Sequence, residues 1–174
     1  LYGSLACQKK SYLLKVERNQ KVPLINLVQI YEGRDEGTSL SKLKIIAEAS
    51  SESAFLEVVF SHENQKAQSF AVTAIDCQQN AHVHHSKAIL SGLSHIHIGK
   101  VSAELARDAN LYGLTFSAAG TLNRNNIEVN VNGEGAHATV NGLFTARGEQ
   151  HQDNFSHIHH KAAHTTSDQI FKGI

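Results

Sequence analysis

GAHATVNGLF, residues 135–144, alternates apolar or small residues with polar ones, and similar short runs recur at a nearly fixed distance along the chain. A period of two is the mark of an extended strand that buries one face. Aligning Ala136 of this stretch with Ala54, Ala81, Ala109 and Ala163 gives successive spacings of 27, 28, 27 and 27 residues. A second register half a period away runs through Phe70, His97, Arg124 and His151, each 27 apart. A repeat of this length, filled by strands instead of helices, is the pattern of stacked strand-bearing coils, each burying its apolar side only against its neighbours.

The expected fold is therefore all-β: a right-handed parallel β-helix, flattened, with two principal sheets and about 27 residues per coil. The strand-like runs FLEVVF, SFAVTAI, NLYGLTF and NNIEVNVNG are rich in Val, Ile, Phe and Thr, and helix-period patterns are scarce. Turns are expected at NRNN (123–126) and NGEG (132–135), whose residue types suit them. NGEG leads into a strand, not a helix, which excludes a phosphate-binding loop there. Residues 51–174 form the predicted core, and 1–50 supply lead-in strands of undefined register.

Alternation also assigns faces. Two residues after each repeat alanine stand Leu56, Val83, Leu111, Ala138 and Thr165, expected inside. One residue after it stand Phe55, His82, Asn110, His137 and His164, expected outside. With coils about 4.8 Å apart, His137 and His164 are expected to be vertical neighbours on one outer sheet.

Sixteen basic residues balance sixteen acidic ones, which argues against a nucleic-acid binder. No apolar run reaches the roughly 18 residues of a membrane span, and the N-terminus lacks a signal-peptide pattern. Two cysteines, Cys7 and Cys77, make no disulfide framework. The expectation is a soluble protein of the reducing cytoplasm. The chain starts at Leu1, holds no methionine and closes in the strand-like IFKGI, so it reads as a piece of a longer product.

Histidine is the compositional outlier, with twelve in all and five within HQDNFSHIHHKAAHTTSDQIFKG, residues 151–173. Three His-x-His pairs, 82/84, 95/97 and 157/159, put two rings on one face of a strand, a spacing that can chelate zinc, copper or iron. His137, His164, His157 and His159 are the candidate metal ligands. Against this stands a plainer reading, outward-facing strand residues in water or at an interface, because no glutamate follows the pairs at a cupin-like distance. For Cys77 the plain reading is a small residue at a strand end. No Gly-x-Ser-x-Gly elbow is present and carboxylates do not cluster, so no catalytic residues are assigned.

The closing segment resembles the SufB/SufD family of iron–sulfur cluster assembly proteins. The residues that carry the likeness are Asp153, His160, Ser167, Lys172 and Gly173, which match a D-x6-H-x6-S-x4-K-G run. The upstream EVNVNGEGAHATVNGLF is similar to the strand–turn–strand that precedes it, and HTTSDQ with Phe171 looks closer to the SufD branch. The resemblance extends over residues 95–174 and more faintly over 50–95. It implies a right-handed parallel β-helix core and a non-enzymatic scaffold subunit that pairs with a SufB-type paralogue and a SufC-type ATPase. No tightly bound cofactor is implied, with an iron–sulfur cluster only in the assembled complex. The five motif residues are expected to be structural, satisfying turns and stacking between coils. Two other readings remain: a β-helical carbohydrate-active enzyme, and a histidine-rich metal-binding protein. Open strand edges at the two ends of the solenoid predict association through them.

Overall fold

The computed structural model describes residues 7–31, 37–62 and 66–174. These form twelve strands: β1 (Cys7–Val16), β2 (Lys21–Tyr31), β3 (Gly37–Ala47), β4 (Glu52–Ser61), β5 (Ala67–Cys77), β6 (His82–Ser91), β7 (Ile96–Leu105), β8 (Asn110–Ala119), β9 (Leu122–Val131), β10 (His137–Thr145), β11 (His151–His160) and β12 (Thr166–Gly173). Odd strands stack into one sheet in the order β1-β3-β5-β7-β9-β11 and even strands into the other, β12-β10-β8-β6-β4-β2. Every neighbouring pair is parallel. The chain is thus a two-sheet parallel β-solenoid, each turn giving one strand to each sheet, and β1 to β3 belong to the same two ladders as the rest.

The coil averages about 29 residues, and its length varies. Gly37 pairs with Ala67, a step of 30, whereas Ile96 pairs with Leu122, a step of 26. This variation decides which sequence columns are real. Ala81, Ala109 and Ala136 do stack, each fully buried, because His82, Asn110 and His137 after them are ladder partners. Ala54 pairs instead with His84, and Thr166 pairs with His137, so Ala54 and Ala163 fall outside the column. The phase of β4 is opposite to that expected: Phe55 is 1% exposed and Leu56 faces outward. In the second register Phe70 stacks on Ile98, Arg124 and Asp153, while His97 and His151 belong to other columns.

One corner recurs in every turn. Asn19, Ser50, Asn80, Asp108, Gly135 and His164 all take a positive φ where the chain passes from the first sheet to the second. The backbone N–H of Asn19, Ser50, Asn80 and Asp108 each donates to a carbonyl of the next coil. Asn, Asp and Gly tolerate this left-handed conformation best, so the expected NGEG turn is observed. NRNN is not a turn: it lies within β9, where Asn123 and Asn125 point inward and donate to Gln152 and Asn154 of β11. Stacking amides satisfy one another inside a sheet as well as a turn would.

The apolar core lies between the sheets, with Ile45, Ile75, Ala103, Val129 and Ile158 forming one inward column. Toward the other lateral edge of the lumen the inward residues become polar, through Ser69, His97, Asn123 and Gln152. At the end formed by β10 and β12, two phenylalanines rest on two glycines. Phe171 lies over Gly142 and Phe144 over Gly173, where an added Cβ would stand 2.6 Å from the Phe144 ring.

Candidate functional site

The titratable side chains most altered by the fold lie inside the solenoid. β4 and β6 alternate apolar and polar residues, and their inward phase carries Glu57, His85 and Lys87 among Phe55, Val59, Val83 and Ile89. Glu57 is 2% exposed, and its Oε1 accepts from the Thr73 hydroxyl at 2.7 Å and meets His85 Nε2 at 2.6 Å. Burial alone would raise the Glu57 pKa. The hydrogen bond and charge of His85, the charge of Lys87 and the Thr73 hydroxyl together outweigh it and bring the pKa down to about 2.

Lys87 is 2% exposed, and its Nζ has no hydrogen-bond partner among the described residues. Burial lowers its pKa, partly offset by the Glu57 charge. It fits because the facing residue on β7 is glycine: a Cβ on Gly99 would lie 2.6 Å from Lys87 Nζ and 2.9 Å from His97 Nε2. His95 and His97 are fully buried and share the Ser69 Oγ, each at 2.7 Å. Burial lowers both imidazole pKa values, that of His95 to about 4 and that of His97 well below its ordinary value, the latter with help from the charges of Lys87 and His95. A cavity of about 20 Å³ beside His85, Gly113 and Thr115 has room for about one water molecule.

Cys77 is fully buried, and burial, then the neighbouring Asp76 charge, pushes its thiol up to about 12. It is a protonated core residue, not a nucleophile. The expected pairing of His137 with His164 does not form. His164 occupies the left-handed corner, and the cross-strand neighbour of His137 is Thr166, at 2.7 Å from Nδ1. His137 Nε2 is 3.0 Å from Thr139 Oγ1 and 3.7 Å from Asp168.

The closing-motif residues come together in part. Thr165 gives its hydroxyl proton to the Ala162 carbonyl, so His160 Nδ1, 2.7 Å away, is the donor to Thr165 Oγ1. His160 Nε2 is then free to accept from Ser167 at 3.0 Å. This strap ties the end of β11 to the start of β12 across the corner. Asp153 instead faces outward and pairs with Arg124 at 3.0 Å. Gly173 leaves room for Phe144, and Lys172 is exposed beside it.

Among the three His-x-His pairs, 95/97 is interior, 82/84 is exposed with His84 leaning on Tyr112 at 5.4 Å, and 157/159 is a stacked surface pair with ring centroids 3.7 Å apart. Among the described residues no three His, Cys, Asp or Glu side chains are already placed to hold a metal ion. Sequence reasoning missed Glu57, Thr73, His85 and Lys87. The available signal was a charged residue in the buried phase of a strand, visible in FLEVVF and HVHHSKAIL once the phase of β4 is known.

Fold and site together define a parallel β-solenoid with an apolar core at one side of its lumen and a polar, titratable network at the other. The chain belongs to the SufBD core-domain family of the SUF system of FeS cluster assembly, whose family model matches residues 30–174. That span takes in the end of β2 and every strand from β3 to β12. Comparison with curated proteins and with solved structures gave no match. No helix among the described residues is long and apolar enough to cross a membrane.

Proposed function

We propose that this chain acts as a non-enzymatic scaffold subunit in iron–sulfur cluster assembly, SufD-like in character. It pairs with a SufB-type paralogue, is served by a SufC-type ATPase and works in the cytoplasm. The observation that carries this reading is the family match across residues 30–174. The closing motif falls on β11 and β12, and its His160 and Ser167 serve as a structural strap. A rigid solenoid suits a scaffold, because each coil is fixed by its neighbours and outer surfaces keep their relative positions. In this reading the cluster is cargo, assembled in the complex, and no cluster is held tightly by the chain alone.

The carbohydrate-active alternative needs paired carboxylates free to act on a sugar. Several outward carboxylates are engaged instead: Asp153 with Arg124, Glu128 with Lys100, Glu104 with Asn130 and Asn132. The test is co-purification of the chain with a SufB-type and a SufC-type protein, followed by cluster reconstitution on the mixture. A stable complex that forms cluster only when all three are present supports the scaffold role. Failure of the chain to associate with either protein, together with hydrolysis of a polysaccharide, would sink it.

A further inference from the structure

The two sheets turn unlike outer faces to solvent. On the odd-numbered sheet that face carries Lys44, Lys100, Arg124, Glu128 and Asp153, with ion pairs running between coils. On the even-numbered sheet the register stacks Val28, Val58, Ala88, Phe116 and Leu143 into one outward column. Beside it stand Ile30, Phe60 and Leu90, and on its other side runs a column through Leu56 and Leu114. From β2 to β10 none of these three columns holds a charged residue. Val28 and Ile30 are 55% and 56% exposed, and Phe60, Leu90, Leu114 and Leu143 between 37% and 40%. Single exposed apolar residues are ordinary, but a contiguous, charge-free sheet face marks an interaction surface. Charge returns at the margins of the sheet, where Lys21 pairs with Glu52 and His137 approaches Asp168.

We propose that this face is where a second copy of the chain docks, sheet on sheet, in a two-fold dimer. Six strands about 4.8 Å apart, each of about ten residues at about 3.3 Å, span roughly 900 Å², of which the charge-free columns make up about half. A stable interface takes about 800 Å² from each partner, so the face is large enough by itself. Its apolar part forms the centre and the polar column beginning at Lys21 the margin, the division such interfaces show. Nothing in the three columns pairs with a charged ligand, which argues against nucleic acid or an acidic peptide as the occupant. A flat apolar face is instead complementary to itself, and two-fold packing sets each of its residues against the same patch on the other copy. Two sheets so packed lie about 10 Å apart with their strands within about 30° of each other. This contact uses side chains and leaves the strand edges at both ends of the solenoid free. It needs no other protein and stands whether or not the chain is a scaffold subunit.

The test is sedimentation velocity of the whole chain from about 1 to about 100 μM. Wild type is compared with Phe60→Lys/Leu90→Lys on this face and with Leu40→Lys on the outer face of β3, each checked by circular dichroism for an unchanged strand signal. A second face variant, Phe60→Thr/Leu90→Thr, keeps a strong strand former at both positions and serves if the lysine pair does not fold. Wild type should reach a dimer and stop there. The lysine pair should raise the dissociation constant at least about a hundredfold and the threonine pair about tenfold, because both strike the centre of the contact, while Leu40→Lys should leave it unaltered. Raising salt from about 0.05 to about 0.5 M should not weaken the dimer, since no charge pair holds its centre. A wild-type monomer at every concentration would overturn the second copy and leave the face to a different protein. Association that survives both face variants runs through the strand edges and would overturn the proposal, as would steep weakening by salt or equal loss in Leu40→Lys, which would move the contact to the charged sheet.

Discussion

Acid should loosen this solenoid before its carboxylates titrate, and His95 and His97 are the reason. Both rings lie in the lumen against one hydroxyl, Ser69. A hydroxyl has a single proton, so it donates to one ring and accepts an N–H from the other, an arrangement that suits two neutral imidazoles. Burial lowers the His95 pKa to about 4 and that of His97 well below its ordinary value, against about 6.5 in an unfolded chain. Below pH 6.5 the unfolded chain takes up protons that the folded one refuses. The stabilisation is therefore complete above pH 6.5 and is lost progressively as the pH falls toward the folded values. At about 1.4 kcal/mol per pKa unit, the His95 shift alone is worth roughly 3 kcal/mol by pH 4, a large part of a typical net stability of about 5–15 kcal/mol. The assay is urea unfolding followed by circular dichroism at pH 7.5, 6.5, 5.5 and 4.5, on wild type and on His95→Gln/His97→Asn. Amides keep a hydrogen-bonding group near Ser69 and cannot be charged, so the double variant should start lower at pH 7.5 and show a flatter pH dependence. A wild-type midpoint unchanged between pH 7 and 5, or an identical slope in the variant, would refute the reasoning.

Glu57→Gln removes the buried charge that Lys87 and His85 face, and should cost roughly 3–5 kcal/mol, the usual loss on breaking a buried pair. A urea midpoint within experimental error of wild type would show that Lys87 is neutral in the fold. The depressed Glu57 pKa predicts a second, separate acid transition: its contribution is present above about 4.5 and disappears as the pH falls toward about 2. Gly173→Val should push the Phe144 ring out of its place and destabilise by about 1–3 kcal/mol, measurable as a lowered melting temperature, and should cost nothing further when added to Phe144→Ala. In a Cys7→Ser background, Cys77 should resist a thiol reagent in native buffer and react fully in denaturant. Rapid native labelling would contradict its burial and raised pKa.

Much of the architecture is legible in residues alone. Alternation in stretches such as GAHATVNGLF fixes an extended backbone with two unlike faces, and recurrence near 27 residues calls for stacking. The same reasoning misplaces columns at both ends, because it aligns Ala54 and Ala163 on a constant coil while the real coil ranges from a step of 26 at Ile96 to one of 31 at Lys9. A slip of a single residue reverses every face. One such slip puts Phe55 outside and hides Glu57.

The local chemistry of single residues is equally ambiguous. Asn123 and Asn125 favour turns when read in isolation, yet coils on either side supply amide partners that hold them in a strand. His95-x-His97 and His157-x-His159 are the same motif, and one is sealed in the lumen while the other lies open on the surface. That this chain is a stack of strand-bearing coils follows from its residues without coordinates, since period and alternation are properties of the chain taken a few residues at a time. Which residues lie above one another, and which face is enclosed, emerges only when the coils are assembled. Coil length can change by several residues at a turn at little local cost, whereas the register of pairing is settled by burial summed over the whole ladder.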